Sequence, residues 1–519
     1  MRFARDVIGS LTGTSVPERF LVTPPDLRPV SPDIARSYYH GQFTFVGQTV
    51  QAGNASPFAA SPPSAEWRDA LHGFRWLRHM ASASGELAGA QAKTLVSDWI
   101  VNHAREQLGG PQVAGVAAMR LIAFLQHGRF LLTGADHQFY RAFMRSVAAH
   151  ISNLKRDASR VTSPLKKVRV HTALGLAAIC LPVNDAMAHR TEERLSAVLG
   201  EVILADGGFI SRNPDDLADV VADLLSLAKS YIALTRPIPP AVVHTLDRVL
   251  PRLRSFLHRD GELATFAGAS GGKAALVAVL LESDETAARP TSQAPQSGFV
   301  SLNQGVSTLQ ADVGQTTTNP GMDGFQSLSA LEFSHDNERV FINIGLPPAN
   351  SINFLEIAQG AAAHNRLSLM HDGSDTADLR QVKLKRWPDL TSGDDGHILQ
   401  YDVGLAAQTI SLTRGFRLSA VGQTLEGFDR IPASALVESA RLHFHTPAKT
   451  KAALASDGSV LVQTRGGQSW RVSSDCGSLS VQPSIHLAHP AGRQETVCVC
   501  ITFDPAKTPT VAWRWALQT

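Results

Sequence analysis

An excess of charge of either sign is missing from this 519-residue chain, in which 48 Lys and Arg face 46 Asp and Glu for a formal net charge of +2. That balance excludes the strong positive field that steers nucleic-acid and anionic-membrane binders. Cysteine is scarce. Cys180, Cys476, Cys498 and Cys500 have no metal-ligand spacing and are too few for a disulfide scaffold. Cys498 and Cys500 lie two apart in a strand pattern, so both thiols face one side, and such neighbours rarely bridge. Long apolar runs are absent as well. No segment reaches the ~20 residues that span a bilayer. Met1 to Asp26, interrupted by Arg5, Asp6, Glu18 and Arg19, has no apolar core of signal length. The expectation is a cytoplasmic protein without membrane insertion, with a periplasmic location as the alternative. No repeat of fixed length is legible, so a regular solenoid is unsupported.

What is present divides by period. Residues 1–65 are rich in loop signals, with Pro24-Pro25, Pro29, Pro32, Pro57 and Pro62-Pro63 around one short strand pattern at Gly41–Gly47. From Trp67 the apolar spacing turns helical, through Leu71, Phe74 and Leu77. Amphipathic segments follow at about 88–107, 113–127, 136–155, 168–181, 187–204, 214–235 and 240–258. Consecutive helices without intervening strands predict an all-α domain over 66–284. The polar, proline-bearing stretch 285–297 reads as a linker. Over 298–519 the pattern is β, with alternating segments at 298–312, 329–344, 408–418, 458–464, 468–472 and 496–503. Asp457-Gly458 and Gly466-Gly467 supply hairpin turns. Many short strands without helices between them predict an antiparallel sandwich.

Asp206-Gly207-Gly208-Phe209-Ile210-Ser211-Arg212-Asn213-Pro214 sits late in the helical part. The two glycines allow a sharp turn with positive φ. Asn213, Pro214, Asp215 and Asp216 then open a helix well, as N-cap, first residue and two carboxylates at the positive dipole end. Ser211, Arg212 and Asn213 thus sit where a loop enters a helix N-terminus, a place suited to an anionic ligand. The local alternative is that Asn213 caps and Arg212 pairs with an acid.

The segments Gly41-Gln42-Phe43, Leu71 to Arg78 (LHGFRWLR), Asp98-Trp99-Ile100, Asp206-Gly207-Gly208, Ser211 to Pro214, Asn343-Ile344-Gly345, Ala362-Ala363-His364 and Arg441 to His445 (RLHFH) follow one another along nearly the whole chain. In order and spacing they resemble the heparinase II/III-like family, and most of all its bacterial members of unassigned substrate. The resemblance implies an incomplete N-terminal α/α-toroid followed by a C-terminal antiparallel β-sandwich, an α+β multidomain architecture in which residues 1–65 pack on the toroid.

It also implies a chemistry: β-elimination beside a uronic acid in an acidic polysaccharide or oligosaccharide. The proton removed is a very weak acid, so a cation or amide must neutralise the adjacent carboxylate as charge develops. A base takes the proton and an acid returns one to the leaving oxygen. On this pattern the catalytic candidates are Arg212 and Asn213 as neutralisers and His364 and His445 for proton transfer. Arg212, Asn213, His443 and Trp76 are the candidates for holding substrate. His443 and His445 alternate with Leu442 and Phe444, so both imidazoles face one side of a strand. The resemblance places these groups on a cleft between toroid and sandwich. No cofactor is expected. A structural zinc is the one exception that the resemblance allows, drawn from His364, His443 or His445 with an acid such as Asp429, although no spacing specifies it.

The chain also departs from the family pattern. Phe209 stands where relatives often carry His, Phe325-Gln326-Ser327 replaces a His-Ala-Asp-like segment, and no Tyr follows Arg212 at Asp215 or Asp216. Three functional expectations therefore stand side by side. One is a lyase acting on a uronate-containing glycan. The second is a glycan-binding or regulatory protein that keeps the cleft without turnover. The third is a scaffold with no glycan ligand.

Overall fold

A computed structural model describes residues 16–83, 85–182, 185–284, 289–314, 327–347, 352–371, 374–375, 377–390, 396–405, 408–432 and 437–518. Packing divides the chain into two compact units, the first of 1–203 with 219–247, the second of 204–218 with 248–519. The chain passes between them within the helix Pro214–Ala233. Sequence periodicity assigned everything from 66 to 284 to the helical domain, whereas 204–218 and 248–284 pack with the strands. Their bonds explain it. His258 reaches Ser334 and Glu332, and Leu346 N–H donates to the Ala269 carbonyl at 3.0 Å.

The first unit is an incomplete α/α-toroid. Ala114–Gln126 and Pro164–Cys180 are buried nearly all round, as inner helices must be. Small residues such as Gly115, Ala117, Ala118, Ala173, Gly175 and Ala177 let their backbones approach closely. His137–Asp157 and Asp185–Val202 bury one face each and form the outer layer. The Asp136 carboxylate caps the first of these by accepting from Phe139 N–H at 2.7 Å. Between helices, Phe74 stacks obliquely on Trp76 and edge-on to Phe124, both at 5.1 Å between centroids. Arg28, Arg75 and Arg169 meet Asp219 and Asp223 in one buried charge cluster.

Strands dominate the second unit, and all of their pairings are antiparallel. Eight strands run in the order Ala377–Leu390, Gly396–Leu405, Gln408–Leu418, Thr424–Arg430, Thr510–Gln518, Ser469–Ser474, Val460–Gln463, Lys451–Leu454. A five-stranded sheet follows the order Ser478–His486, Gln494–Phe503, Ser439–His445, Leu367–His371, Ser374–Asp375. A third sheet, also of five strands, is a meander through Gln293–Ala294, Phe299–Gln304, Ser307–Asp312, Leu331–His335 and Glu338–Phe341. Their apolar faces share one core in which Trp513, Trp515, Phe444, Phe341 and Trp470 meet. The unit is an antiparallel β-sandwich. Gln293–Ala294 belongs to a strand, so part of the stretch read as a linker is woven into a sheet. No helix among the described residues is long and apolar enough to cross a membrane.

Candidate functional site

The turn at Asp206 is built as its residues require. Gly207 has φ +81°, and a Cβ there would lie 2.1 Å from the Arg248 carbonyl oxygen. The Asp206 carboxylate accepts from Gly208 N–H at 3.0 Å, Gln296 N–H at 2.8 Å and Ser297 N–H at 2.7 Å. Asn213 caps the helix Pro214–Ala233, its Oδ1 accepting from Asp215 N–H at 2.8 Å. Arg212 itself is buried with φ +63°. Its guanidinium donates to the carbonyls of Ser297 at 2.8 Å and Gly298 at 3.3 Å, forms an ion pair with Asp312 and covers the Phe299 ring at 4.8 Å. Gly314 makes room for it, since a Cβ there would fall 2.4 Å from Nη2. Asp312 is held in turn by Gly314 N–H and the Ser327 hydroxyl. The local alternative is what the structure contains: Asn213 caps, and Arg212 neutralises an internal carboxylate.

The three candidate histidines gather in the second unit. His443 and His445 lie on Ser439–His445, and their rings are parallel, with centroids 5.9 Å apart. Both are buried. His445 is engaged at both nitrogens, with the Ser484 hydroxyl at Nδ1 and the Ala362 carbonyl at Nε2, each at 2.7 Å. His364 follows the short turn Ala361–Ala363 and is buried, and among the described residues neither ring nitrogen has a partner in hydrogen-bond geometry. Burial, then the Arg366 charge, pushes its pKa down from 6.5 to about 3, with the Ala358 carbonyl opposing weakly. Burial beside His443 brings His445 to about 3 as well. Both imidazoles are neutral at physiological pH, a state in which a base accepts a proton.

Sequence reasoning missed a buried polar network that reaches this cluster. Glu332 accepts from His258 Nε2 at 2.9 Å, from Thr265 N–H and from both nitrogens of Asn343 at 2.9 and 2.8 Å. Asn343 Oδ1 accepts from Asn365 N–H at 2.9 Å, and Asn365 Oδ1 accepts from His445 N–H at 2.6 Å. Burial pushes the Glu332 carboxyl up, but His258 and the other donors outweigh it and hold it below its usual value. The Asn343-Ile344-Gly345 segment, one of the motifs that carry the resemblance, was the available signal.

Other candidates fall elsewhere. Trp76, a candidate for holding substrate, is instead in the core of the first unit, its indole N–H given to the Leu71 carbonyl at 2.8 Å. Phe209 is buried. Phe325 and Gln326 lie outside the described residues. Asp429 does not fit a zinc set with the histidines. Its Oδ2 accepts from Trp513 Nε1–H at 3.0 Å and its Oδ1 lies 3.5 Å from Arg414 Nε, while His445 has no nitrogen to spare. A different donor set does come together. Cys498, Cys500 and His443 place their ligating atoms within 4.8 Å of one another. Cys500 is pulled down to about 5, first by its hydrogen bond with Cys498 and then by His443, while burial pushes Cys498 well up.

Residues 286–514 match the family described as Heparinase II/III-like, C-terminal. The C-terminal domain is heparinase II/III-like. A heparinase III crystal structure superposes with a TM-score of 0.76 at 12% identity, covering 99% of this chain and 89% of that one. A heparan sulfate lyase from Pedobacter heparinus gives 0.57 at 13%, covering 94% and 83%. A chondroitin AC lyase from Streptomyces coelicolor A3, solved with chondroitin sulphate, gives 0.51 at 10%, covering 94% and 78%. At such identities the likeness is one of fold alone. In sequence, the chain is 26% identical over 521 residues to FtsZ-localized protein C of Caulobacter vibrioides (strain NA1000 / CB15N), covering 92% of this chain and 86% of that protein. The heparinase-like domain contains Asp312, His364, His443 and His445, whereas Arg212 and Asn213 come from outside it.

Proposed function

We propose that this heparinase-fold protein takes an acidic, uronate-containing polysaccharide or oligosaccharide as its ligand and holds it without cleaving it. The observation that supports the absence of turnover is the pairing of Arg212 with Asp312. β-Elimination needs a cation or amide facing the substrate carboxylate, and here the guanidinium already faces an internal one. Asn213 is committed to its helix N-cap. No tyrosine follows Arg212 at Asp215 or Asp216, where the family pattern has one. The full lyase, with Arg212 and Asn213 as neutralisers and His364 and His445 moving protons, is the competing reading.

One experiment separates the two. The purified protein is incubated with a panel of uronate polysaccharides while near-ultraviolet absorbance and binding heat are recorded. The expected result is binding to at least one acidic glycan with no growth of the conjugated-uronate absorbance. Catalytic growth of that absorbance would restore the lyase. Heat from no member of the panel would remove the glycan from the proposal.

A second reading rests on the relative from Caulobacter vibrioides, whose likeness runs through 92% of this chain and whose name places it with FtsZ. On that reading the fold is a scaffold for an assembly role in the cytoplasm. Co-sedimentation with FtsZ polymers tests it, and a chain left wholly in the supernatant would end it.

A further inference from the structure

We propose that His443, Cys498 and Cys500 form a binding site for a soft d10 metal ion, with Zn2+ as the expected occupant. The site is a product of register. On the antiparallel pair of Ser439–His445 and Gln494–Phe503, His443 lies directly opposite Cys500 and His445 opposite Cys498. Residues two apart on a strand share a face, so His443, Cys498 and Cys500 project to one side while Leu442, Phe444, Val499 and Ile501 fill the sandwich core on the other.

The spacings suit such an ion. The two sulfurs are 3.6 Å apart, and Cys500 Sγ is 3.9 Å from His443 Nδ1. With Zn–S near 2.3 Å and Zn–N near 2.0–2.1 Å, a tetrahedral centre separates two thiolates by about 3.8 Å and a thiolate from an imidazole nitrogen by about 3.6 Å. Both separations lie within a few tenths of an ångström of those values, and all three donors lie within 4.8 Å of one another. A disulfide would require the sulfurs to close to about 2.05 Å between neighbours on one extended strand. Hard cations are disfavoured, because sulfur and imidazole donors select zinc and Cu(I) over calcium or magnesium.

His443 supplies a second, independent observation. It is 7% exposed, and its Nε2 has no hydrogen-bond partner among the described residues. The ring's hydrogen-bond contact is with Cys500 Sγ, at Nδ1, so Nδ1 already faces sulfur and metal ligation there would replace a weak contact with a strong one. Charge also balances, since two thiolates around a divalent ion leave a neutral buried centre and release two protons to solvent on binding. Three protein ligands leave a fourth position for water, the arrangement of an open zinc centre. The set shares only His443 with the zinc that the family resemblance allowed, and it does not depend on the glycan reading.

Co2+ substitution tests the site in the full-length protein, reduced and stripped of metal. The expected result is one equivalent of Co2+ with sulfur-to-cobalt charge-transfer absorbance, displaced by Zn2+. Cys500→Ser and His443→Gln should each weaken binding by more than the roughly 10–100-fold that loss of an outer-shell partner costs. Cys476→Ser, away from the site, should leave the spectrum unchanged. Elemental analysis of protein purified without chelator should find zinc near one per chain. A reduced wild-type chain that shows no thiolate–cobalt band overturns the proposal whatever the variants do. So does a band that survives Cys498→Ser and Cys500→Ser together. A mass two hydrogens lower in air, localised to Cys498 and Cys500 and with no cobalt binding after reduction, would make the pair a redox couple instead.

Discussion

Arg212 and Asp312, 100 residues apart in sequence, form a buried ion pair in which the arginine also donates to the Ser297 and Gly298 carbonyls. Both members are almost wholly withdrawn from solvent. Removing one member strands the other. Arg212→Ala should therefore destabilise the protein by about 3–5 kcal/mol, the scale of an uncompensated buried charge. Replacing both residues by apolar ones should cost less than Arg212→Ala alone. Urea unfolding midpoints measure both. Unchanged stability together with lost glycan affinity would instead assign Arg212 to the ligand.

The turn before it gives a sharper contrast. Gly207 and Gly458 both have positive φ, +81° and +82°, but only Gly207 has backbone in the path of a Cβ. Gly458→Ala should cost only the strain of a left-handed alanine, about 1–2 kcal/mol. Gly207→Ala must in addition move the Arg248 carbonyl, 2.1 Å from the new carbon, and should lower soluble yield or the melting temperature much further. Equal effects would mean that the close approach is relieved at no cost.

Much of this fold was legible from period alone. The helix predicted at 113–127 is Ala114–Gln126, the one at 214–235 is Pro214–Ala233, and the strand at 408–418 is Gln408–Leu418. Local turn chemistry was legible too, including the Asn213 cap. Long-range choices were not. Nothing near Arg212 in sequence names Asp312 as its partner, and nothing near Trp76 says that its indole faces the core. The same holds for His443 and Cys500. Alternation placed each thiol and each imidazole on a face of its strand, but only the register of the pairing puts them side by side. The packing of 204–218 and 248–284 with the strands was not legible for a related reason, because helices read from period do not reveal which neighbours they bond.

Acid should unfold this protein from the histidine range downward. His364 and His72 are both depressed from 6.5 to about 3, chiefly by burial, and His72 Nδ1 accepts from Trp99 Nε1–H at 3.0 Å. Between pH 6.5 and about 3 the unfolded chain binds protons that the folded chain refuses. Stability therefore falls as pH drops through that window, by up to about 1.4 kcal/mol per pH unit for each histidine. Above 6.5 these groups contribute no slope. Melting temperatures from pH 8 to 4 measure the effect, and His364→Gln should flatten the acid limb. A variant as steep as the wild type would show that His364 is not among the groups responsible.

The stretch that reads as a linker should resist proteases until Asp206 is removed. Its polar sequence and two prolines suggest an exposed connection, yet Ser297 is buried and the Asp206 carboxylate accepts from the backbone of both Gln296 and Ser297. Gln296 returns the contact, its Oε1 accepting from Asp206 N–H at 2.8 Å. Upstream, Asp284 is tied to Arg254 at 2.9 Å. Proteases cut where the chain is exposed or opens locally, so a segment clasped at both ends is cut only when it opens. Asp206→Ala deletes three acceptor contacts to the 296–297 backbone and side chain at once, each worth about 1.5–3 kcal/mol when the acceptor is charged. Cleavage within 289–297 should then appear at protease levels that leave the wild type intact, with the rest of the fragment pattern unchanged. Mass spectrometry of a short trypsin and thermolysin time course gives the sites. Rapid cutting of the wild type in 289–297 would show that the clasp does not hold in solution.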